Sequence, residues 1–394
     1  MLLNLTEDQQ FFRETTDRFL IEQVPPDAVR ALRDDATGFD PVYWRRGAEL
    51  GWTSLLVDEE HGGGTISGAG LVDLSLVAYA FGRHAAPGPL ASTNVVAATL
   101  AGHDAAPDVL EALLSGQGIA TWCAPTVGPD GWHATVEVRR EGDDLVLRGE
   151  ARPVEAAGSA AHLLVTCRDD AGGDGAAATQ ILVPTSATGV TVSPMQTIDL
   201  TRRFSVVTFD DVRIPADSGA VVGTPGGAAA DVERQLLTFL VVLNAESVGA
   251  LQSGFDMTVE WAFDRYSFGR PLASYQALKH RFADMMSWLE ASHAIAAKAC
   301  AAVQEADDPA RTAEASELVS AAKAYIGQYG VELLQDCVQL HGGIGVTFEH
   351  DLHLYLRRTI VDRALGGTPA DHLQRIAAVV ETRARAEHAE EVAA

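Results

Sequence analysis

The spacing of hydrophobic and polar residues divides the chain into three parts. Up to about residue 118, apolar residues recur at helical spacing, and Thr6–Gln9 has the pattern of a capping box that opens the first helix. From about residue 119 to residue 220, apolar and polar residues alternate, and Glu-Gly-Asp-Asp at 141–144 predicts a hairpin turn. After residue 225 the helical spacing returns, with glycine-rich breaks at 267–271 and 341–345.

These parts predict three domains. A chain of 394 residues is too long for one compact core. Strands that follow one another without intervening helices suggest an antiparallel barrel or sandwich. We therefore predict an α+β fold with an N-terminal helical domain at 1–118, a middle antiparallel β-barrel domain at 119–225 and a C-terminal helical bundle at 226–394. A glycine-rich stretch at 168–173 is predicted to be a surface loop between two strands.

One apolar segment carries a single charge. Between Gln235 and Phe255 the only charged residue is Glu246, and a segment that is apolar on every face predicts a buried helix. Buried carboxylates are usually paired or used in function, because an isolated one is costly. Glu246 is therefore either a general base on a rigid helix or a structural glutamate paired with Arg or Lys of a neighbouring helix.

Composition excludes several function classes. The formal net charge of −25 argues against binding to nucleic acid, which needs clustered Lys and Arg. The four cysteines are scattered without CxxC spacing, which favours a reducing cytoplasm and no structural metal site. The N-terminus lacks the pattern of a secretory signal, and the apolar run around Glu246 has too many polar residues for a membrane span. We expect a soluble, cytoplasmic protein.

Two motifs resemble a known family. The first is DRYSFGRPL at 264–272, followed by QALKH at 276–280, and the second is QLHGGIGVTFEHD at 339–351. Arg265 precedes a turn and can place its guanidinium beside a diphosphate, while glycines let the backbone approach a ligand. A helix C-cap is the alternative interpretation of the glycines taken alone. Together with the α–β–α order, the motifs resemble the acyl-CoA dehydrogenase family over essentially the whole chain.

The resemblance implies FAD as cofactor. In this family such residues hold the adenine-diphosphate half of FAD in a neighbouring subunit, so an oligomer is implied, either a homomer or a heteromer built as a dimer of dimers. It assigns cofactor binding to seven residues of this chain: Arg265, Phe268, Gln276, Gln339, Gly342, Gly343 and Thr368.

The resemblance also implies the reaction and its partners. Family members convert an acyl-CoA thioester into the trans-2-enoyl-CoA and pass the electrons to an electron-transfer flavoprotein. The two positions that hold the family's catalytic base correspond here to Phe239 and Gly366, and neither is a carboxylate. Glu246 lies about two helical turns beyond Phe239 on nearly the same face. The segment Ala-Glu-Ser-Val-Gly at 245–249 is similar to actinobacterial members that act on bulky acyl-CoAs, such as steroid side chains, and assemble from two different subunits. We therefore assign the base to Glu246.

The middle domain departs from the family pattern. A Trp-x-Thr segment usually contacts the flavin ring, whereas this chain has ARPVEAAG at 151–158. Two alternatives stay open beside the dehydrogenase. In the first alternative, the chain is a non-catalytic partner that completes another subunit's FAD site. In the second, it is a flavin monooxygenase on the same scaffold.

Overall fold

The computed structural model of the protein describes residues 5–169 and 177–393, so most of the predicted loop at 168–173 lies outside the described residues.

The N-terminal part is helical. The capping box is confirmed, because the Thr6 side chain accepts from the Gln9 backbone and the Gln9 side chain accepts from the Thr6 backbone, both at 3.2 Å. The helices of this part are α1 (Glu7–Gln23), α2 (Pro26–Ala31), α3 (Pro41–Glu49), α4 (Gly70–His84), α5 (Leu90–Gly102) and α6 (Pro107–Leu114).

Within the described residues, the middle part consists of an eight-stranded sheet with its own apolar core and a separate two-stranded sheet formed by the second and third strands. Its strands are β1 (Ala120–Cys123), β2 (Thr126–Gly128), β3 (Gly131–His133), β4 (Val136–Glu141), β5 (Asp144–Glu155), β6 (His162–Asp169), β7 (Ala178–Pro184), β8 (Val190–Pro194), β9 (Phe204–Pro215) and β10 (Val221–Val222). The predicted hairpin is confirmed, since β4 and β5 pair from Glu141 opposite Asp144.

The sheet differs from the predicted antiparallel barrel in two respects. The strand order is β10-β7-β6-β4-β5-β9-β8, and within the described residues its two end strands are not paired with each other, so the hydrogen-bonded sheet is open. Most pairs are antiparallel, but β6 runs parallel to β1 and to β4. Both neighbours occupy the same edge of β6 in succession, β1 along 162–165 and β4 along 167–169, which alternation of residues alone does not predict.

The C-terminal part is a helical bundle built around one long helix. Its elements are α7 (Ala229–Asp264), β11 (Tyr266–Ser267), β12 (Arg270–Pro271), α8 (Gln276–Gln304), α9 (Pro309–His341), α10 (Leu352–Ala364) and α11 (Pro369–Ala393). The polar residues of α7 do not by themselves exclude a membrane span, as the sequence suggested, because the helix is long and apolar enough to cross a bilayer. However, 89% of its apolar window is buried inside the protein, which is typical of a core helix.

Glycines let α7 and α4 approach closely. A Cβ placed on Gly82 would lie 1.8 Å from the carbonyl oxygen of Glu246, and one placed on Gly249 would lie 2.0 Å from the carbonyl oxygen of Tyr79. No side chain fits at either position. The crossing therefore fixes the part of α7 that carries Glu246 against the N-terminal helices.

Candidate active site and cofactor surface

Glu246 lies between two arginines. Its Oε2 accepts a hydrogen bond from Nη2 of Arg202 at 2.5 Å, and its Oε1 accepts one from Nη1 of Arg358. All three side chains are at most 2% exposed. Both oxygens of the carboxylate are therefore engaged, and each partner is itself shielded from water.

The two arginines connect Glu246 to three further carboxylates. Arg202 pairs with Glu155 at 3.1 Å and with Asp362 at 2.7 Å. Arg358 pairs with Asp199 at 2.7 Å. The participants come from β5, from the loop before β9 and from α7 and α10, so the network joins the middle and C-terminal parts.

The network also reaches the N-terminal part. Nη2 of Arg358 donates to the carbonyl of Ala86 at 3.0 Å, and the Ser92 hydroxyl donates to Glu155 at 3.3 Å. On α9, Nζ of Lys323 donates to the backbone carbonyl of Asp362. We call Glu155, Asp199, Arg202, Glu246, Lys323, Arg358 and Asp362 the buried ionic network.

The buried ionic network holds more acids than bases. Four carboxylates face two arginines and one lysine, so full ionisation would leave one uncompensated negative charge. Burial raises the pKa of Asp362 to about 7, although the Arg202 guanidinium opposes the shift. Burial likewise raises the pKa of Glu155 and lowers that of Lys323 to about 8. The raised pKa means that the Asp362 carboxyl retains its proton more readily than an exposed aspartate does, and a proton held there offsets the excess negative charge.

This geometry favours the structural interpretation of Glu246 over the general base. A general base needs a free lone pair within hydrogen-bond reach of the substrate proton. The Glu246 oxygens instead bridge Arg202 and Arg358, and the side chain is 1% exposed, so a substrate does not reach the lone pairs that remain. The sequence showed that a buried carboxylate was present, but its partners lie 44 and 112 residues away along the chain and carry no local signal.

The two family positions for a base meet at one apolar spot. A Cβ on Gly366 would lie 3.7 Å from Cδ1 of Phe239 and 2.8 Å from Cδ2 of Leu240. Phe239 is 8% exposed and packs edge-on against Trp122, with ring centroids 6.1 Å apart. The two positions therefore face each other around a spot that is filled with hydrocarbon.

Two cavities lie on another side of α7. One of about 310 Å³ and one of about 770 Å³ share Ala98, Arg234 and Thr238 in their walls. Neither is lined by Phe239 or Gly366. These two cavities are thus separate from the family's base positions.

The Phe-Gly-Arg-Pro segment forms an exposed hairpin. Phe268 has φ +49° and Gly269 has φ +80°, so both central residues of the turn between β11 and β12 are left-handed. Phe268 is 98% exposed, and the Tyr275 hydroxyl anchors the base of the hairpin by donating to the Ser267 carbonyl at 2.7 Å. An apolar ring held in strained backbone and presented to solvent is typical of a contact surface.

The glycine loop lies at the end of α9. Gly342 and Gly343 are exposed, and a Cβ on either would meet nothing within 4 Å. Gln339 is also exposed, as is Gln276 at the start of α8, whose amide lies 3.0 Å from His280. Thr368 is exposed too, but its hydroxyl donates to Asp371 at 2.6 Å and caps α11. Thr368 therefore lies in the loop between α10 and α11 that also carries Gly366, and not in the hairpin or the glycine loop.

These surfaces fit one half of FAD. Arg265 is exposed, and the glycines leave the backbone open, which suits a phosphate-bearing group approaching from outside. The chain's own 151–158 segment does not fit a flavin ring. Its Glu155 carboxylate is buried against Arg202, and the cavity beside them is about 10 Å³, room for one water molecule at most.

The histidines and carboxylates after the glycine loop are the next feature of this surface. Among the described residues, no group of three or more His, Cys, Asp or Glu side chains is arranged to hold a metal ion. His353, which follows the glycine loop, instead stacks on Phe348 with ring centroids 4.8 Å apart.

Comparisons with known proteins agree with the fold and the motifs. Residues 6–116 match the family model described as the acyl-CoA dehydrogenase N-terminal domain, and residues 232–381 match that of the C-terminal domain. The acyl-CoA dehydrogenase IpdE2 of Mycobacterium tuberculosis (strain ATCC 25618 / H37Rv) is 30% identical over 372 residues, which cover 94% of this chain and 96% of that protein.

Solved structures show the same fold. A structure of a variant of the Tcur3481-Tcur3483 steroid ACAD has a TM-score of 0.83 at 25% identity, covering 96% of this chain and 99% of that one. The ChsE4-ChsE5 complex from Mycobacterium tuberculosis has a TM-score of 0.82 at 24% identity, covering 97% of this chain and 99% of the matched chain. The chain belongs to the acyl-CoA dehydrogenase family of FAD-dependent oxidoreductases, which act on the CH–CH group of acyl-CoA thioesters.

Proposed function

We propose that this chain is one subunit of an acyl-CoA dehydrogenase that converts an acyl-CoA thioester into the trans-2-enoyl-CoA. FAD, when bound, supplies the hydride acceptor, and an electron-transfer flavoprotein then takes the electrons. A bulky acyl group of the steroid type is the proposed substrate class, in keeping with the steroid ACAD among the similar structures. Four free, buried cysteines suit a reducing compartment, and we propose the cytoplasm.

The exposed cofactor surface carries this proposal. The hairpin with Phe268 and the loop with Gly343 are both exposed to solvent. In the chain's own 151–158 segment, the buried Glu155–Arg202 ion pair occupies the space that a flavin ring would need. We propose that the chain contributes Arg265, Gln339 and Gly343 to the adenine-diphosphate half of a flavin site in a neighbouring subunit. The assembly then holds fewer flavins than subunits.

We further propose that the catalytic base comes from a different subunit. Phe239 and Gly366 supply no carboxylate, and both oxygens of Glu246 are bound by arginines. A heteromer of two different chains accommodates this arrangement, and the similar structures include one complex, ChsE4-ChsE5. The chain is then the partner that completes the site, while the second subunit abstracts the α-proton.

The test is the flavin content of the purified chain, alone and co-expressed with its genomic neighbours. The absorption spectrum gives FAD per chain, and acyl-CoA-dependent reduction of an electron acceptor gives the activity. We expect little FAD and no turnover from the chain alone, and both from the co-expressed assembly. A homotetramer with one FAD per chain and full activity would falsify the heteromer.

Arg265→Ala tests the shared flavin site directly. A charge-assisted contact to phosphate is worth about 1.5–3 kcal/mol, so we expect the FAD dissociation constant of the assembly to rise by about 10- to 150-fold. Arg270→Ala is the matched control, because Arg270 lies in the same hairpin but stacks over the Tyr275 ring at 3.8 Å. Equal FAD affinity in wild type and the Arg265 variant would remove Arg265 from the site.

A further inference from the structure

A row of stacked side chains connects the two cofactor-binding segments. The Arg265 guanidinium lies over the Trp261 ring at 5.7 Å. Trp261 stacks on His341 with centroids 5.3 Å apart and planes 19° apart, and His341 meets His350 edge-on at 4.5 Å. We call Arg265, Trp261, His341 and His350 the aromatic ladder.

The aromatic ladder joins elements that are distant along the chain. Trp261 lies in the last turn of α7, directly before the hairpin, and His341 is the last residue of α9, directly before Gly342. His350 lies between the glycine loop and α10. The stacked rings therefore set the position of the Arg265 side chain relative to the backbone of the glycine loop.

The lower part of the ladder is fixed by burial. His341 is 4% exposed, and its Nδ1 donates to the carbonyl of Cys337 at 2.8 Å. Burial holds its pKa below the usual range, so the ring is neutral near pH 7. The backbone N–H of Leu352 donates to Nδ1 of His350 at 3.2 Å, which orients the second imidazole. Trp261 thus rests on a rigid support.

At the exposed end of the ladder, Trp261 restrains the Arg265 guanidinium. Arg265 lies on the surface, and a free arginine side chain loses much rotamer freedom when it is ordered. The indole face below it attracts the guanidinium and orders it before any ligand arrives. Preorganisation of this kind increases affinity because less freedom is lost on binding.

We infer that Trp261 is a positioning residue for the FAD site, acting through Arg265. This inference rests on the proposed function, because it assumes that Arg265 contacts the diphosphate. Trp261 itself need not touch the cofactor. Its role is to hold the guanidinium in register with the glycine loop.

The test compares Trp261→Leu with Trp261→Phe in the FAD-containing assembly. The FAD dissociation constant is measured by flavin fluorescence, with thermal unfolding and oligomeric state recorded alongside. We expect Trp261→Leu to weaken FAD binding by about 3- to 30-fold, the range of a cation–π contact, and Trp261→Phe to restore most of the affinity. Trp261→Met replaces the leucine variant if that variant fails to fold.

Trp288→Leu is the matched control. Trp288 also stacks on a ring, Tyr329 at 5.6 Å, and also lies under an arginine, Arg281 at 5.0 Å, but it is outside the ladder. We expect its FAD affinity to equal that of wild type. Loss of affinity in this variant equal to that of Trp261→Leu would show a general effect of losing a stacked tryptophan and would overturn the inference.

A double-mutant cycle separates this inference from the proposed function. If Trp261 acts through Arg265, Trp261→Leu has no further effect on FAD affinity in the Arg265→Ala background. Independent, multiplying effects mean that Trp261 is merely structural. If Arg265→Ala alone leaves FAD affinity unchanged, the proposed site itself is wrong, and the ladder has no flavin to position.

Discussion

At the scale of single residues, a substitution at Glu246 tests whether this acid has a structural or a catalytic role. Glu246→Gln keeps the shape but places an amide N–H group against Arg202 or Arg358, which are themselves donors. Breaking a buried ion pair typically costs about 3–5 kcal/mol, and we expect the free energy of unfolding in urea to fall by this amount.

Glu233→Gln is the control for this change. Glu233 lies on the same helix and pairs with Arg375 at 3.3 Å, but its side chain is 25% exposed. A pair with such access to water contributes about 0–1 kcal/mol. The opposite result for Glu246→Gln, unchanged stability with turnover reduced by about 10²- to 10⁴-fold, would restore Glu246 as the base.

The sequence could predict the burial of Glu246 but not its partners. A lone charge in a segment apolar on every face predicts a buried acid, and the structure confirms that it is 1% exposed. Arg202 and Arg358 come from a loop before β9 and from α10, and nothing in a local pattern marks either as an ion-pair partner. The choice between base and structural acid depends on this long-range geometry.

At the scale of elements, the β11–β12 hairpin is the surface that we propose contacts a neighbouring subunit. Phe268 is 98% exposed, so Phe268→Ala removes no buried packing from the isolated chain. We expect its unfolding free energy to stay within about 0.5 kcal/mol of wild type. Retention of FAD in the assembly should fall, because the ring is proposed to lie against the neighbouring subunit.

Phe11→Ala serves as the control for the hairpin. Phe11 is 65% exposed on α1, far along the chain from either cofactor motif. Both variants are passed through size-exclusion chromatography, and FAD in the assembly peak is measured by absorbance. Equal FAD retention in the two variants would exclude Phe268 from the interface.

Periodicity predicted the types of element but not how they pair. The change from helical spacing to alternation near residue 119, and back near 225, corresponds to the end of α6, the start of β1 and the start of α7. The parallel pairing of β6 with β1 and β4 has no local signature. The close crossing of α4 and α7 depends on Gly82 lying against the Glu246 backbone and Gly249 lying against the Tyr79 backbone, contacts between residues far apart along the chain.

At the scale of the whole molecule, the buried ionic network makes stability depend on pH. Folding raises the pKa of Asp362 from 3.8 to about 7, so the native state binds this proton more tightly than the unfolded chain. The resulting stabilisation is complete below the unfolded pKa and is lost as pH rises through about 7. Lys323 has the opposite effect on stability. Folding lowers its pKa from 10.5 to about 8, so between these values the unfolded chain holds a proton that the native state has released, and stability rises with pH.

The pH dependence can be assigned to Asp362 by comparing wild type with Asp362→Asn. The asparagine keeps one acceptor oxygen for Arg202, and its amide N–H can donate to the Ser247 hydroxyl, which both donates and accepts. Because the asparagine does not titrate, the change with pH of the difference in unfolding free energy reports the Asp362 proton. We expect wild type to lose stability relative to the variant between about pH 5 and about pH 8, when both are unfolded in urea at fixed salt. A difference that does not change over this range would mean that Asp362 is ionised throughout and that the excess negative charge is compensated elsewhere. Because the network connects all three parts of the chain, its ionisation bears on how firmly they are held together.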